Sequence, residues 1–276
     1  MNRSMYIGLL ALLSLVLLAG CAPAATPPPA ATPLPASAQP PSGTDTPAPT
    51  AAPQKSGVKL IYEGNAQFEL AGSQGTRILI DIADPTKLTS PATDKDVLLT
   101  THSYHTDHYN KPFATSFPGK QLLDMGTLEL PGIAIKTIAS THSAGANSGK
   151  MIVFIIDMDG LRIAHFGSAG QKAFTQEQLD QLGKVDVALT LMNGAYSFDL
   201  MEQLKPKLVI PTHGSESMDV IKRGVGLWKD ASTGGGWVTI GRSDLPAEGG
   251  TKFLVLGDPF VVAACQKVYK MPKWSE

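Results

Sequence analysis

The chain has 276 residues, and its 23 Lys and Arg residues nearly balance 24 Asp and Glu residues to give a formal net charge of −1. This balance argues against a nucleic-acid-binding surface, which needs clustered positive charge. Hydrophobic residues make up 43% of the chain and charged residues only 17%, so the composition is that of a folded protein with a sizeable core rather than a disordered chain.

The first 20 residues predict an export signal. Arg3 supplies a positive charge, and Tyr6 to Leu18 form an apolar run with the length of a signal-peptide core, which is short for a permanent membrane span. The run leads into Leu-Ala-Gly-Cys21, which resembles the processing box of bacterial lipoproteins. The resemblance implies lipidation of Cys21 and an extracytoplasmic protein anchored to a cell membrane. The alternative is a plain secretory signal with an incidental cysteine.

Residues 21–56 predict a disordered tether. Eleven of the 21 prolines lie between Pro23 and Pro53, among Ala, Thr and Ser residues. Such a segment has little to bury, and proline keeps it semi-extended. Residues 57–276 contain no comparable break or repeat, so we expect one domain. Within it, Cys265 lies in an apolar stretch, which predicts a buried, unreactive thiol.

Apolar segments bounded by turn residues predict a series of strands along this domain. In chain order, the predicted strands are 58–62, 66–70, 77–82, 96–100, 134–138, 151–157, 161–166, 185–191, 207–210 and 252–256. The Asp159-Gly160 pair between two of them is typical of a tight hairpin turn.

Helix signals lie mainly in the second half of the domain. Thr175 and Gln178 have the spacing of a capping box for a helix closed by Gly183, and a second helix is predicted from Asp199 to Leu204. A strand meander followed by alternating strands and helices favours two sheets covered by helices over a simple doubly wound sheet.

All six histidines follow or end predicted strands. They are His102, His105 and His108 in Thr-His-Ser-Tyr-His-Thr-Asp107-His, followed by His142, His165 and His213. Imidazole and carboxylate groups are ligands that Zn²⁺ prefers, and strand ends hold them rigidly. The pattern therefore predicts a metal site, although an isolated histidine such as His165 is more often a hydrogen-bonded core residue.

These motifs resemble the metallo-β-lactamase fold hydrolases, and most closely the branch that includes the ascorbate-phosphate lactonases. The likeness runs from Val58 to about position 214. Its blocks are the turn within 61–68, the strand 78–81, the histidine loop 101–108, the strand 160–167 and the final strand–helix–strand that ends at His213. The resemblance implies an α/β fold, a four-layer αββα sandwich with metal ions at the strand ends.

Two positions depart from the family pattern. Aligned on Asp107-His108, the family's first histidine falls on Ser103, and an inserted residue, most simply Tyr104, would return His102 to the site. Ser168 stands where the family has the Asp that bridges two metal ions. A hydroxyl group has no charge to offset the repulsion between two divalent cations, so we expect one zinc ion rather than two.

The resemblance divides the candidate ligands into two half-sites. Asp107, His108 and His213 form one, with room for a water molecule, which is the arrangement of a catalytic mononuclear zinc site. The other comprises His105 and His142, with His102 if the insertion returns it. Zinc lowers the pKa of its bound water, which is then able to attack a carbonyl or phosphoryl centre. Asp107 would serve as ligand or base, and His142 or His105 would hydrogen-bond the water or an oxyanion.

The resemblance therefore implies a membrane-tethered hydrolase that uses zinc-bound hydroxide on a small ester, lactone or phosphoester. The alternative is an inactive relative that binds a metal ion or a small ligand, because fold alone does not determine function. A serine hydrolase is disfavoured, since Phe166-Gly-Ser168-Ala-Gly lacks the first glycine of the Gly-x-Ser-x-Gly elbow. Residues 57–276 contain no basic run that would indicate nucleic-acid binding.

Overall fold

The computed structural model describes residues 57–142, 149–213, 217–247 and 249–275. The predicted signal peptide, Cys21 and the predicted tether lie outside these residues. Among the helices of this described part, none is long and apolar enough to cross a membrane.

Fourteen strands and five α-helices make up the described part of the chain. The strands are β1 (Val58–Gly64), β2 (Gln67–Ala71), β3 (Arg77–Ile80), β4 (Val97–Leu99), β5 (Lys120–Leu122), β6 (Thr127–Leu130), β7 (Ile133–Thr141), β8 (Lys150–Met158), β9 (Leu161–His165), β10 (Val187–Leu191), β11 (Leu208–Thr212), β12 (Asp230–Thr233), β13 (Trp237–Ile240) and β14 (Lys252–Val255). The helices are α1 (Lys111–Thr115), α2 (Gln176–Leu182), α3 (Ser197–Leu204), α4 (Met218–Leu227) and α5 (Pro259–Tyr269).

The strands form two mixed sheets. The first has six strands in the order β13-β1-β2-β3-β4-β5, and β3, β4 and β5 are parallel rather than part of a meander. The second has eight strands in the order β12-β14-β11-β10-β9-β8-β7-β6. Asp159 and Gly160 both adopt positive φ in the β8–β9 hairpin, as their sequence predicts, because this geometry matches the twist of the paired strands.

Hydrophobic contacts order the sheets and helices into layers. The largest buried cluster draws residues such as Leu60 and Ile80 from the first sheet and Phe154 and Leu189 from the second. A second cluster joins the other face of the eight-stranded sheet to helices α2 to α5 and includes Cys265, which is buried. A third cluster packs α1 against the outer face of the six-stranded sheet. This arrangement confirms the predicted αββα architecture.

Local sequence accounts for the helix that was predicted most sharply. Thr175 accepts a hydrogen bond from the backbone of Gln178, whose side chain accepts one from the backbone of Thr175, and Gly183 follows the last turn of α2. Helix α3 begins two residues before its predicted start, at Ser197. Helix α4 was not predicted because it contains Gly224 and Gly226, which disfavour helices. Gly224 is retained because a Cβ there would lie 2.6 Å from the ring of Phe253.

The parallel strands bring their carboxyl ends to one edge of the sandwich. Asp81 follows β3, the histidine loop follows β4, and His142 follows β7. Ser168 and His213 follow β9 and β11 at the same edge of the second sheet. The two sheets also contact each other here, since the backbone N–H of Ile152 donates to the carbonyl of Thr101 at 2.9 Å.

Candidate metal centre

Two groups of three potential ligands meet at this edge. His102, His105 and His142 form the first trio, and Asp107, His108 and His213 form the second. Within each trio, one nitrogen or oxygen atom from every residue lies within 4.8 Å of the others. The trios adjoin each other, because the ring centroids of His102 and His108 are 4.1 Å apart. All six residues named as candidate ligands from the sequence therefore lie together.

The first trio consists of three imidazoles. Ring centroids are 5.3 Å apart for His102 and His105, and 5.1 Å apart for His142 and either of the other two. Burial lowers the pKa of His102 to about 3, and the positive charge that its neighbours can carry acts in the same direction. Burial also lowers the pKa of His142. At neutral pH the rings of His102 and His142 therefore offer lone pairs rather than positive charge.

The second trio contains a carboxylate. Nε2 of His213 lies 3.2 Å from Nε2 of His108 and 3.3 Å from Oδ2 of Asp107. His213 has a positive φ of 60°, and its backbone N–H donates to the carbonyl of Asn65, at 2.5 Å. The β1–β2 turn therefore fixes the backbone of this residue. Burial lowers the pKa of His213, so its ring is neutral at pH 7 as well.

Asp81 is the buried anion that holds the site. Its Oδ2 atom lies 2.9 Å from Nδ1 of His108 and 2.9 Å from Nε2 of His165, and Oδ1 accepts the backbone N–H of Thr101 at 2.7 Å. Burial alone would raise the pKa of Asp81, but His108 and His165 outweigh it and hold the pKa well below its usual range. Asp81 is therefore ionised and accepts the Nδ1 proton of His108. Burial lowers the pKa of His108, but Asp81 outweighs burial and raises it; in the neutral form of this ring the lone pair is on Nε2, which faces His213.

Thr101 extends this arrangement to the first trio. Its hydroxyl oxygen lies 2.9 Å from Oδ2 of Asp81 and 3.0 Å from Nδ1 of His102. Because the carboxylate only accepts, the hydroxyl donates to Asp81 and accepts the Nδ1 proton of His102. The lone pair of His102 is thus placed on Nε2. Gly167 allows this contact, since a Cβ on it would lie 2.9 Å from the Thr101 hydroxyl oxygen.

Ser168 is buried between these groups. Its hydroxyl oxygen lies 3.2 Å from Nε2 of His108, within hydrogen-bonding distance. The side chain therefore points to the place that the family's bridging carboxylate would occupy according to the resemblance, but it brings no charge there.

The side chains fit a bound metal ion. Nε2 of His102 is buried and has no hydrogen-bond partner in the described part of the chain, and a lone pair in that position gains from coordinating a cation. The donors of both trios are imidazole nitrogens and one carboxylate, the set that zinc prefers. The buried carboxylate behind His108 is the outer partner that fixes a ligand's tautomer in metal sites.

The candidate ligands named from the sequence thus occupy one site, and Asp81 and Thr101 are added to it by the structure. Tyr104, the simplest candidate for an inserted residue, lies with its ring 4.6 Å from that of His102, which belongs to the first trio. Asp81 and Thr101 were not singled out. The available signal was the position of Asp81 directly after a buried strand, at the end of one of the matching blocks. His165 is a hydrogen-bonded core residue, fully buried against Asp81.

The comparisons with known proteins agree with this geometry. Residues 59–213 match the model of the beta-lactamase superfamily domain. The chain is 29% identical over 226 residues to a UPF0173 metal-dependent hydrolase of Thermoplasma acidophilum, which covers 69% of this chain and 98% of that protein. A Thermoplasma volcanium protein of the same description is 28% identical over 229 residues, with 69% and 99% covered.

A solved structure supports the fold. A Thermotoga maritima protein of the metallo-beta-lactamase superfamily superposes with a TM-score of 0.55 at 22% identity, covering 72% of this chain and all of that one. The matched residues 59–213 include strands of both sheets and every candidate ligand, while β12, β13 and β14 lie after them. The chain belongs to the beta-lactamase superfamily, in its metallo-β-lactamase fold.

Proposed function

We propose that this metal-dependent hydrolase of the metallo-β-lactamase superfamily works with one zinc ion on a small ester, lactone or phosphoester. The observation that carries the proposal is the second trio, in which a carboxylate and two imidazole nitrogens lie within 4.8 Å of one another. Three protein ligands with a remaining open position are typical of catalytic zinc. The printed description of the Thermoplasma relatives as metal-dependent hydrolases supports the same class.

Asp107, His108 and His213 would hold the ion. The chemistry that zinc supplies when bound is the activation of water near neutral pH and the polarisation of a carbonyl or phosphoryl oxygen. The chain's own groups position and move protons around it. Asp81 keeps the His108 proton on Nδ1, so that Nε2 is available as a ligand.

His142 and His105 are the remaining groups for substrate. Both belong to the first trio, which adjoins the second trio. The lowered pKa of His142 favours its neutral form at pH 7. A neutral imidazole is able to accept a proton from an attacking water or to donate one to a developing oxyanion. We assign His142 this role, with Asp107 acting either as ligand or as base.

The case for one ion rests on Ser168. Two divalent ions about 4 Å apart repel each other by about 17 kcal/mol at an effective dielectric constant of 20. A bridging carboxylate offsets part of this repulsion, whereas the hydroxyl of Ser168 does not. The first trio therefore serves the substrate more readily than a second ion.

The cellular location proposed here rests on the N-terminal sequence. An apolar run followed by Leu-Ala-Gly-Cys21 supports lipidation of Cys21, and the proline-rich segment after it supports a tether. The hydrolase would then act outside the cytoplasm, at the surface of a membrane. Labelling with a radioactive fatty acid tests this, and label retained in Cys21→Ala would contradict it.

The experiment that tests the activity joins metal content to turnover. The full chain, purified in detergent and supplied with zinc, is expected to bind about one equivalent and to hydrolyse members of a panel of esters, lactones and phosphodiesters. Asp107→Ala and His213→Ala are expected to lose both the metal and the turnover, while Asp84→Ala, on a neighbouring turn, keeps both. Stoichiometric zinc without turnover would instead indicate a metal-binding relative, and protein without zinc would exclude the proposal.

A further inference from the structure

A cleft of about 460 Å³ opens beside the first trio and is bordered by Tyr104 and His105. It is formed by the histidine loop and the start of α1, and its walls include Tyr104, His105, Thr106, Tyr109, Asn110 and Lys111. His105 belongs both to this cleft and to the first trio. A molecule in the cleft would therefore extend directly from the candidate metal centre.

Two tyrosines give the cleft aromatic walls. The Tyr104 ring lies 4.8 Å from the ring of His105, and the residue is 47% exposed, so about half of its surface is open to a ligand. Tyr109 packs against the buried cluster that includes Leu79 and Leu98 and is fixed by it. Neither phenol hydroxyl hydrogen-bonds to another described residue. Aromatic rings of a ligand gain from such walls by stacking and by burial.

The polar side chains of Asn110 and Lys111, which line the cleft, are not equally available to a ligand. Nδ2 of Asn110 donates to the carbonyl of Ala83 at 3.1 Å, and Oδ1 accepts the backbone N–H of Phe113 at 3.0 Å. Both ends of this amide are therefore occupied. Lys111 is exposed and forms no ion pair within the described residues, which leaves its ammonium group as the charged contact for a ligand.

From this geometry we propose a substrate subsite for an aromatic ring that carries a carboxylate. The ring would lie between Tyr104 and Tyr109, the carboxylate would pair with Lys111, and the scissile bond would face His105. The inference rests on the proposed hydrolase activity and narrows it to esters of carboxylated phenols. Tyr104 would be a specificity-determining residue.

Gly149 provides an independent way to disturb this wall. A Cβ on Gly149 would lie 2.6 Å from Cζ of Tyr104 and 2.8 Å from its hydroxyl oxygen. Because the tyrosine ring is half exposed, it is able to move away without unfolding the domain. Gly149→Ala is therefore expected to shift the ring and to weaken the subsite without removing any of its groups.

Binding is tested without turnover. The zinc-supplied full chain is titrated with 4-hydroxybenzoate, with phenol and with cyclohexanecarboxylate, and binding is followed calorimetrically and by ligand-observed NMR. We expect 4-hydroxybenzoate to bind at least 10-fold more tightly than either other probe. Lys111→Met is expected to remove this advantage, Tyr109→Leu to weaken both aromatic probes, and the exposed control Lys95→Met to change nothing. Equal binding by wild type and Lys111→Met would overturn the subsite, because the carboxylate would then lie on the metal.

Kinetics separate this inference from the activity itself. With 4-carboxyphenyl acetate and phenyl acetate as a matched pair, Lys111→Met is expected to raise KM at least 10-fold for the first ester only, with kcat unchanged. Turnover of both esters with no effect of Lys111→Met or Tyr109→Leu would reject the subsite and leave the hydrolase. Selective binding of 4-hydroxybenzoate without turnover of any ester would reject the hydrolase and leave the subsite.

Discussion

Oδ2 of Asp81 lies 2.9 Å from Nδ1 of His108, and the two side chains are completely buried. The same carboxylate reaches His102 through the hydroxyl of Thr101. One anion therefore sets the tautomer of a histidine in each trio. Burying an ionised carboxylate is costly unless it is paired and hydrogen-bonded, and here the cost is offset by contacts that orient two candidate ligands.

Asp81→Asn is expected to weaken zinc binding about 10–100-fold, because an amide holds the His108 proton on Nδ1 less strongly than a carboxylate does. Competition with a chromogenic chelator measures the change. The matched control is Asp84→Asn, three residues further along the same turn, whose carboxylate only caps the short helix Pro85–Lys87. Unchanged affinity in Asp81→Asn would show that this hydrogen bond does not tune the ligand.

The separation of contacting residues along the chain determines which parts of the site could be predicted from the sequence. His102 to His108 lie in one loop, and strand ends before His142 and His213 placed these residues at the same edge. The αββα layers were predicted through the resemblance of successive blocks. Asp81, by contrast, contacts side chains that are 20, 27 and 84 residues away, so no local pattern marks it.

Other misses have local causes. β5 and β6 are short and largely exposed, so they lack the buried alternation that identifies a strand. Helix α5 begins with Pro259 and runs through a nearly continuous apolar stretch, which has no helical period to distinguish it from a buried strand. In each case the tertiary contacts, rather than the segment itself, determine the structure.

Ser168→Asp is expected to raise zinc binding from about one equivalent to two. A carboxylate at this buried position, next to Nε2 of His108, would add a negative charge between the trios and offset the repulsion between two ions. Metal analysis after gel filtration measures the stoichiometry. Ser168→Asn introduces a side chain of the same size as aspartate but without its charge, and this variant is expected to bind one equivalent of zinc. A second equivalent in this control would refute the electrostatic explanation.

Thr101→Val, introduced into the Ser168→Asp protein, is expected to weaken the second equivalent about 10-fold and to spare the first. The substitution removes the hydroxyl that orients His102, while the backbone N–H of Thr101 still bonds to Asp81. Calorimetric titration with zinc resolves the two steps. Equal weakening of both steps would mean that Thr101 acts by supporting Asp81, and not through the tautomer of His102.

Glu63 gives a prediction about stability rather than metal binding. Burial raises its pKa to about 8, and the nearby carboxylate of Glu69 acts in the same direction; its Oε1 atom is buried without a hydrogen-bond partner in the described part of the chain. Between about pH 4.5 and pH 8, Glu63 is therefore protonated in the folded protein and ionised in the unfolded chain. Folding stability from this group is lost as the pH rises through that window, by at most about 1.4 kcal/mol per pH unit.

Glu63→Gln is expected to remove this loss of folding stability, because an amide does not ionise. The side chain of Gln67 donates a hydrogen bond to a side-chain oxygen of Glu63, and glutamine offers an oxygen acceptor as well. At pH 8 the free energy of unfolding of Glu63→Gln is expected to be about 2 kcal/mol higher than that of the wild type. This is less than about 1.4 kcal/mol for each pH unit of the window, because solvent reaches part of the side chain and screens its charge. Near pH 4 the two proteins are expected to be equally stable. Urea unfolding at both pH values measures the difference, with Glu129→Gln on exposed β6 as the control. A difference that is the same at pH 4 and pH 8 would show that ionisation of Glu63 is not its cause.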